Sequence, residues 1–296
     1  MRGYDRLVEC YGKATQMTEL YPGFHEFERA GWEDAELVRH YEREMAELTS
    51  QSGEPLLNAG AVGTGSRVLD VACGPGLLTA AAAQRGARSI GVDFSNAQVT
   101  AARTRYPELR FEVADASALP FPNASFDAVL SSFGMLHFPD ARSAAAEASR
   151  ILVPGGRFAF TVWDQPERVV PMGALLRAMR SHGRTDVDIP AGPDFFGLSE
   201  PARSQELLRA AGFENPTVAY VPQVWRLKAP AHILSTFQRG TVRMRALLQA
   251  QSPEQIARIQ AALHAELSAY RQGDGYELPM PALLATGYKK NAMVPR

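Results

Sequence analysis

Short apolar runs alternate with longer amphipathic segments through the middle of the chain. The apolar runs predict strands at 67–70, 88–93, 109–114, 126–132, 157–163 and 213–221. The segments between several of them place apolar residues three and four positions apart, which predicts helices. Strands that alternate with helices of this length predict an α/β fold with a mainly parallel, doubly wound sheet covered on both faces.

Several of the predicted helices carry start signals. Ser95 and Gln98 have the Ser-x-x-Gln spacing of a capping box, and Asp140 precedes an alanine-rich helix that it can cap. Ser252 and Gln255 repeat the capping-box spacing, with Pro253 at the first helical position between them. These signals fix where helices begin and so support the predicted order of elements.

The flanking regions break the alternation of strands and helices. Residues 1–58 contain many aromatic residues and a helix pattern from Glu33, which predicts an N-terminal helical arm or lid. Residues 59–296 are predicted to form the ligand-binding domain, with helical cap insertions at about 164–198 and 223–273.

Glycines and prolines mark two further segments. Residues 53–65 are rich in glycine and are predicted to be an irregular connection. Residues 276–288 are predicted to form the last strand, although Pro279 and Pro281 cannot donate to a sheet ladder.

Composition narrows the classes of function. The 296 residues are 46% apolar, which suits a chain with a large core, and the net charge of −1 gives no overall attraction to nucleic acid. The two cysteines, Cys10 and Cys73, have no metal-ligand spacing and fit a reducing compartment. We therefore expect a cytoplasmic protein with no metal site, no membrane segment and no nucleic-acid partner; the oligomeric state stays open.

A glycine-rich turn follows the first predicted strand. Gly74 and Gly76 let the backbone turn sharply and approach a ligand, and a helix begins directly after them. Thr79 occupies the place of the third glycine in the dinucleotide fingerprint. Asp70 lies inside this turn region, where its carboxylate would repel a pyrophosphate. These residues argue against a nicotinamide or flavin enzyme.

Three acids lie at the ends of three successive predicted strands: Asp70, Asp93 and Asp115. The carboxyl ends of parallel strands meet at one edge of a sheet, where ligands bind. Asp93 can accept hydrogen bonds from ribose hydroxyls, and Asp115 can accept one from an adenine amine. Together the three acids predict a site for a neutral or cationic adenosine ligand.

At this point the chain resembles the class I S-adenosylmethionine-dependent methyltransferases, in particular the branch of quinone-biosynthesis and small-metabolite enzymes. The matching segments are Val68–Gly76, Gly91–Ser95, Asp115–Ala116, Leu119–Phe121, Ser125–Asp127, Leu136–His137 and Leu152–Arg157. The resemblance implies a Rossmann-like seven-stranded sheet, with six parallel strands and the last antiparallel. It also implies S-adenosyl-L-methionine as cofactor and S-adenosyl-L-homocysteine as product.

The resemblance also implies roles for individual residues. Asp70 and the turn Cys73–Gly76 would hold the methionine part, Asp93 the ribose, and Asp115 with Ala116 the adenine. The full set of predicted cofactor-binding residues is Asp70, Ala72, Cys73, Gly74, Gly76, Asp93, Phe94, Gln98, Asp115, Ala116, Ser132 and Phe133.

Methyl transfer requires mainly positioning, and it needs a base only when the accepting atom carries a proton. His137 follows the fourth strand and is the candidate base; the alternative is that it packs beneath the cofactor or bonds backbone. Candidate substrate residues come from the flanks: Tyr21, Trp163, Trp225, Phe237, Arg239 and Tyr276.

The second insertion, 223–273, has seven basic and two acidic residues. Such a bias is usually a solvated face, but Arg239, Arg243 and Arg245 are also candidates for holding an anionic acceptor.

The sequence therefore favours methyl transfer to a small, largely apolar metabolite at oxygen, nitrogen or carbon. Two alternatives stay open: a nicotinamide-dependent oxidoreductase, and a protein that binds the adenosine ligand without methylating anything.

Overall fold

The computed structural model describes residues 21–291, and its strands form one large and one small sheet. The strands are β1 Arg67–Val71, β2 Arg88–Asp93, β3 Arg110–Val113, β4 Phe126–Ser132, β5 Leu152–Trp163, β6 Phe213–Val221, β7 Val224–Leu227, β8 Arg271–Gln272, β9 Gly275–Pro279 and β10 Ala282–Lys289. The strand predicted at 213–221 has the predicted bounds, and β5 begins five residues earlier than predicted.

The large sheet has seven strands in the order β3-β2-β1-β4-β5-β10-β6. Neighbouring strands from β3 to β5 are parallel, and β10 runs antiparallel to both β5 and β6. This confirms the expected sheet of six parallel strands with the last one antiparallel. The order reverses beside β1, so the carboxyl ends of β1 and β4 flank the crevice where ligands bind in such sheets.

The prediction of one strand over 276–288 is wrong. The segment divides into β9, which pairs with β7 and β8 in the small sheet, and β10 of the large sheet. Pro279 ends β9, and Pro281 contributes a carbonyl that accepts the Asp164 N–H at 3.1 Å. The prolines fall at the junction between the two sheets because they cannot donate to a ladder within either one.

Helices connect the strands and form the flanking regions. They are α1 Phe24–Trp32, α2 Ala35–Ser50, α3 Gly53–Ala59, α4 Leu77–Gln84, α5 Asn96–Arg105, α6 Ala141–Ile151, α7 Val170–His182, α8 Pro201–Ala210, α9 Ala231–Gly240, α10 Val242–Gln249 and α11 Pro253–Leu267. α4 packs on β1 and β2, α5 on β2 and β3, and α8 on β6 and β10.

Helix caps explain where several of these helices begin. The Asp140 side chain accepts the Arg142 N–H at 3.0 Å, and both halves of the capping box between Ser252 and Gln255 are present. At α5 the Ser95 hydroxyl accepts the Gln98 N–H at 3.1 Å, as predicted. In a complete capping box the Ser95 N–H would donate to the Gln98 side chain, but here it donates to Asp93. The Gln98 side chain is therefore available for another role.

The prediction of an irregular connection over 53–65 is also wrong in part, because the helix α3 occupies the first half of this segment. Leu56 and Leu57 are completely buried and hold α3 against the large sheet. Pro55 is tolerated because it lies in the first turn, where its missing N–H would have no helical partner.

The second insertion packs against the N-terminal helices and the first insertion. α9 contacts α2, and α11 contacts α7. The proposed division of the chain at residue 58 stays a prediction, as does the assignment of 164–198 and 223–273 as caps. No helix within residues 21–291 is long and apolar enough to cross a membrane.

Candidate active site

A cleft lies at the carboxyl ends of β1, β2 and β4. It consists of two adjoining hollows, both lined by Tyr41, Ala72, Gly74 and Ser132. The first hollow extends along Thr49, Asp70, Cys73 and Leu77. The second extends along Trp32, Asp93, Phe94, Gln98, Phe133, His137 and Phe138. The turn after β1 therefore lies between the two hollows.

This turn depends on backbone conformations that favour glycine. Gly74 and Gly76 have φ of 51° and 83°, and a Cβ on Gly76 would lie 2.7 Å from the Phe111 ring. Ala72 and Phe133 also have positive φ, 57° each, although they carry side chains. Such strained backbone is concentrated at functional sites, and here both residues line the cleft.

Asp70, on β1, offers a buried carboxyl to the first hollow. Its Oδ2 accepts a hydrogen bond of 2.7 Å from the Thr79 hydroxyl, whereas its Oδ1 has no partner among the described residues. Burial raises the pKa of Asp70 to about 7. An unpaired buried acceptor is costly, so Oδ1 is suited to a ligand that donates hydrogen bonds, above all an ammonium group.

Asp93 ends β2 and forms the floor of the second hollow. The Gly74 N–H donates to its Oδ2 and the Ser95 N–H to its Oδ1, both at 3.0 Å. Burial raises the pKa of Asp93 to about 6. A carboxylate has about four acceptor sites, so both oxygens keep capacity for ligand hydroxyls.

Gln98 adds a further acceptor beside Asp93. Its Oε1 is buried without a partner among residues 21–291 and lies 3.7 Å from the position of a Cβ on Gly74. Neither hollow is lined by an arginine or a lysine from the described part of the chain. The cleft therefore presents unpaired acceptors and carboxylates without a cation that would bind a phosphate.

Comparison with known proteins agrees with this chemistry. A family model described as a methyltransferase domain matches residues 69–160. Demethylmenaquinone methyltransferase of Deinococcus radiodurans is 32% identical over 165 residues, which cover 50% of this chain and 68% of that protein. The chain belongs to the class I S-adenosylmethionine-dependent methyltransferases.

Other relatives match the chain over part of their length. Demethylmenaquinone methyltransferase of Renibacterium salmoninarum is 38% identical over 119 residues, covering 39% of this chain and 50% of that protein. The chain spans about half the length of the first curated relatives that it matches. Phosphoethanolamine N-methyltransferase 2 of Haemonchus contortus has a TM-score of 0.56 and 18% identity, covering 90% of this chain and 60% of that one. It supports the fold alone.

Most of the residues expected from the methyltransferase family converge on the cleft. Asp70, Ala72, Cys73, Gly74, Asp93, Phe94, Gln98, Ser132 and Phe133 line it, and Gly76 completes the turn beneath it. Burial raises the pKa of the Cys73 thiol, so this cysteine is an uncharged part of the wall. The roles assigned to these residues in binding the cofactor stay predictions.

The expected adenine-binding pair lies at the edge of this arrangement. Asp115 is exposed, and its Oδ1 accepts the N–H and the hydroxyl of Ser117 at 2.7 Å each. Ala116 is half-buried and packs on the core. Neither residue lines the cleft described here, because the turn after β3 folds the Asp115 carboxylate back onto its own backbone. Their contact with adenine stays a prediction.

His137 lines the second hollow and has a partner that the sequence did not reveal. Its Nδ1 lies 3.0 Å from Oε2 of Glu28, on α1. The Trp32 Nε1–H donates to the same oxygen, also at 3.0 Å. The Trp32 and His137 rings meet edge to face with centroids 5.3 Å apart. The expectation that His137 acts as a base stays a prediction.

None of the six predicted substrate residues lines the two hollows. Trp225 and Phe237 are buried against each other, with ring centroids 6.0 Å apart, and Trp163 stacks beneath Phe133 at 4.1 Å. Tyr276 lies on β9 of the small sheet, and Tyr21 contacts Phe24. Trp163, Trp225 and Phe237 are therefore buried against neighbouring aromatic residues. The residues that line the cleft instead include Trp32, Tyr41 and Phe138.

The three candidate arginines do not converge on one site. Arg245 pairs with Asp34 at 2.8 Å, and Arg243 donates to the Pro193 carbonyl at 3.2 Å. Arg239 is exposed near the end of α9. Two of the three therefore stabilise contacts within the chain, and the structure gives the proposed anion site no support. No cluster of side chains within residues 21–291 has the composition of a metal site.

Proposed function

We propose that this chain transfers a methyl group from S-adenosyl-L-methionine to a small, largely apolar metabolite. The observation that carries the proposal is the cleft at the carboxyl ends of β1, β2 and β4. Within residues 21–291 it presents an unpaired carboxylate oxygen on Asp70 and the carboxylate of Asp93, and no arginine or lysine lines it. A cationic amino acid joined to a neutral nucleoside matches that combination. The relationship to methyltransferases supports the same ligand.

Each part of the cleft would contribute a different interaction. Asp70 Oδ1 would accept hydrogen bonds from the ligand amine, and Asp93 would accept them from ribose hydroxyls. When bound, the sulfonium supplies an already activated methyl group. The chain's own contribution is then to hold the acceptor in line with the carbon–sulfur bond and to exclude water, for which Trp32, Phe138 and Phe133 provide an apolar wall.

The relatives suggest which acceptors to try first. Two of them are demethylmenaquinone methyltransferases, so we propose a fused-ring quinol as a trial acceptor, together with simple catechols and amines. A quinol is the appropriate redox form because its ring is electron-rich, whereas the ring of a quinone is not a nucleophile. We further propose that the enzyme acts in the cytoplasm, which is supported by its low cysteine content.

The proposed function is tested by binding and by product formation. Isothermal titration of the full chain with S-adenosyl-L-homocysteine should give saturable binding, which Asp93→Asn should weaken strongly. Incubation with methyl-labelled S-adenosyl-L-methionine and the trial acceptors should place the label on one of them. No binding of either nucleoside would refute the proposal. Binding without a methylated product from any acceptor would favour a binder that does not methylate.

A nicotinamide-dependent oxidoreductase is the weaker alternative. The pyrophosphate of that cofactor would have to lie beside Asp70, in a cleft that no arginine or lysine of residues 21–291 lines. A thermal shift caused by nicotinamide dinucleotides, with none caused by S-adenosyl-L-homocysteine, would support it.

A further inference from the structure

The Glu28 carboxyl is buried at a place where the fold does not require a charge. Glu28 lies in the middle of α1, is 2% exposed and points towards the turn that follows β4. Burying a carboxylate costs several kcal/mol unless charge-assisted hydrogen bonds offset the loss of water. A buried acid that attaches one helix to the domain therefore needs a further explanation.

The contacts of this carboxyl are concentrated on one oxygen. The Trp32 indole and the His137 imidazole both approach Oε2 at 3.0 Å, and Oε1 is buried without a partner among the described residues. A neutral glutamine could accept both hydrogen bonds through its single carbonyl oxygen. Fixing α1 in place would thus not need an acid, whereas stabilising positive charge on the imidazole would.

The surroundings of His137 restrict its orientation. Its ring meets the Trp32 ring on one side and the Phe195 ring on another, with centroids 5.3 Å and 6.3 Å away. Its side chain is 27% exposed and lines the second hollow. When Nδ1 carries a proton that it donates to Glu28, Nε2 has a free lone pair and can accept a proton.

We propose that Glu28 is a positioning residue that holds His137 in its Nδ1–H tautomer, so that Nε2 takes the proton from the methyl acceptor. This inference rests on the proposed function, since it assigns a role within the same reaction. It applies to acceptors whose accepting atom carries both a proton and an available electron pair, such as a hydroxyl, a neutral N–H amine or a quinol ring carbon.

The proton and electron pairs balance in this step. A lone pair or π pair of the accepting atom forms the new bond to the methyl carbon, and the carbon–sulfur bond breaks with its electron pair going to sulfur. The accepting atom loses its proton to Nε2 of His137. The resulting imidazolium lies beside the Glu28 carboxylate, which stabilises its positive charge.

The arrangement also makes the site depend on the N-terminal region. Glu28 lies outside residues 69–160, which match the methyltransferase family model. It reaches His137 only when α1 is docked, and the two residues are 109 positions apart in the chain. The matched domain alone therefore lacks the partner of its candidate base.

The tautomer of His137 can be measured without cofactor or acceptor. Nitrogen-15 NMR of the labelled full chain, with His137 assigned by comparison with His137→Gln, should show the neutral ring protonated at Nδ1. This readout does not depend on activity. Because a carboxylate only accepts hydrogen bonds, the readout tests the direction of the Glu28–His137 hydrogen bond, and the kinetics below test whether that bond serves the reaction. A neutral ring protonated mainly at Nε2 would overturn the proposal.

Kinetics then test whether the charge of Glu28 matters. Glu28→Gln keeps the shape and the shared acceptor but removes the charge, and it should lower kcat on a proton-bearing acceptor by roughly 100-fold. The affinity for S-adenosyl-L-homocysteine, measured by titration calorimetry, should stay unchanged. Glu26→Gln makes the same chemical change at an exposed position of α1 and is the matched control, with kcat unchanged.

A double-variant cycle separates positioning from a general disturbance. If Glu28 acts through His137, the variant carrying both Glu28→Gln and His137→Gln should be no slower than His137→Gln alone, to within about twofold. Additive losses, or a Glu28→Gln kcat equal to that of the unmodified chain, would overturn the inference and leave the proposed function intact. Failure of the unmodified chain to bind S-adenosyl-L-homocysteine would instead refute the proposed function, and the NMR result would still decide the His137 tautomer.

Discussion

Replacing Asp70 with asparagine should make the free energy of unfolding of the ligand-free protein depend less on pH. The same replacement should weaken ligand binding. Burial raises the pKa of Asp70 to about 7, compared with 3.8 for an exposed aspartate. The folded state therefore favours the protonated carboxyl. This contribution to stability is fully present below pH 3.8 and is lost as the pH rises through 7.

The size of the effect follows from the shift in pKa. One pKa unit corresponds to about 1.4 kcal/mol, so ionising Asp70 in the folded protein costs about 4 kcal/mol in total. The loss accumulates between pH 3.8 and pH 7, where the carboxyl is ionised in the unfolded chain and still protonated in the folded one. About two of these pH units lie between pH 5 and pH 8, so about 3 kcal/mol of the loss should appear in this interval. Asp93 lies nearby and also titrates, but it is present in both proteins and its contribution largely cancels in the difference.

Urea unfolding at pH 5 and pH 8 measures this difference. The free energy of unfolding of the unmodified chain should fall between the two values by about 3 kcal/mol more than that of Asp70→Asn. The asparagine leaves an unpaired buried amide, but this penalty of about 1–3 kcal/mol is the same at both pH values.

Asp127→Asn is the matched control for this experiment. Asp127 lies at the start of β4 and pairs with Arg67 at 2.7 Å, which lowers the pKa of its carboxyl. It is ionised throughout this pH interval, so its replacement should not alter the change in stability between pH 5 and pH 8. Equal pH dependence for Asp70→Asn and the unmodified chain would refute the assignment of Asp70 as a buried acid with a raised pKa.

Three further predictions concern the turn, the floor of the cleft and the second insertion. Asp93→Asn should weaken S-adenosyl-L-homocysteine binding by about 10- to 100-fold in calorimetry, because hydrogen bonds to a charged acceptor contribute about 1.5–3 kcal/mol. An affinity within twofold of the original would show that Asp93 does not bind the ligand. Gly76→Ala should destabilise the fold by about 1–3 kcal/mol, because its Cβ would lie 2.7 Å from the Phe111 ring at a φ of 83°; an unchanged urea midpoint would contradict the turn geometry. Ser252→Ala should cost about 1 kcal/mol by removing the cap of α11, whereas Ser268→Ala, beyond the end of the same helix, should cost less; equal losses would argue against the cap.

The sequence was most informative where local chemistry determines structure. The capping residues Asp140 and Ser252 begin helices as predicted, and β6 has its predicted bounds. Asp70 and Asp93 also reach one cleft as expected, because parallel strands bring their carboxyl ends to one edge of the sheet.

Residues that act through tertiary docking could not be found in the same way. Trp32 and Tyr41 line the cleft, but on amphipathic helices their spacing is the same as that of core residues. Nothing in the sequence distinguishes Glu28 from an exposed glutamate on a helix, because its contact with His137 depends on how α1 packs. Trp225 and Phe237 had the composition of a pocket wall but bury each other instead.

A crystal structure of the full chain with S-adenosyl-L-homocysteine tests the central claim most directly. The account predicts the ligand in the cleft beside Gly74, with its amine nitrogen within hydrogen-bond distance of Asp70 Oδ1 and its ribose hydroxyls bonded to Asp93. A ligand bound elsewhere would contradict the account, as would a ligand in the cleft that makes no hydrogen bond to Asp70 or to Asp93.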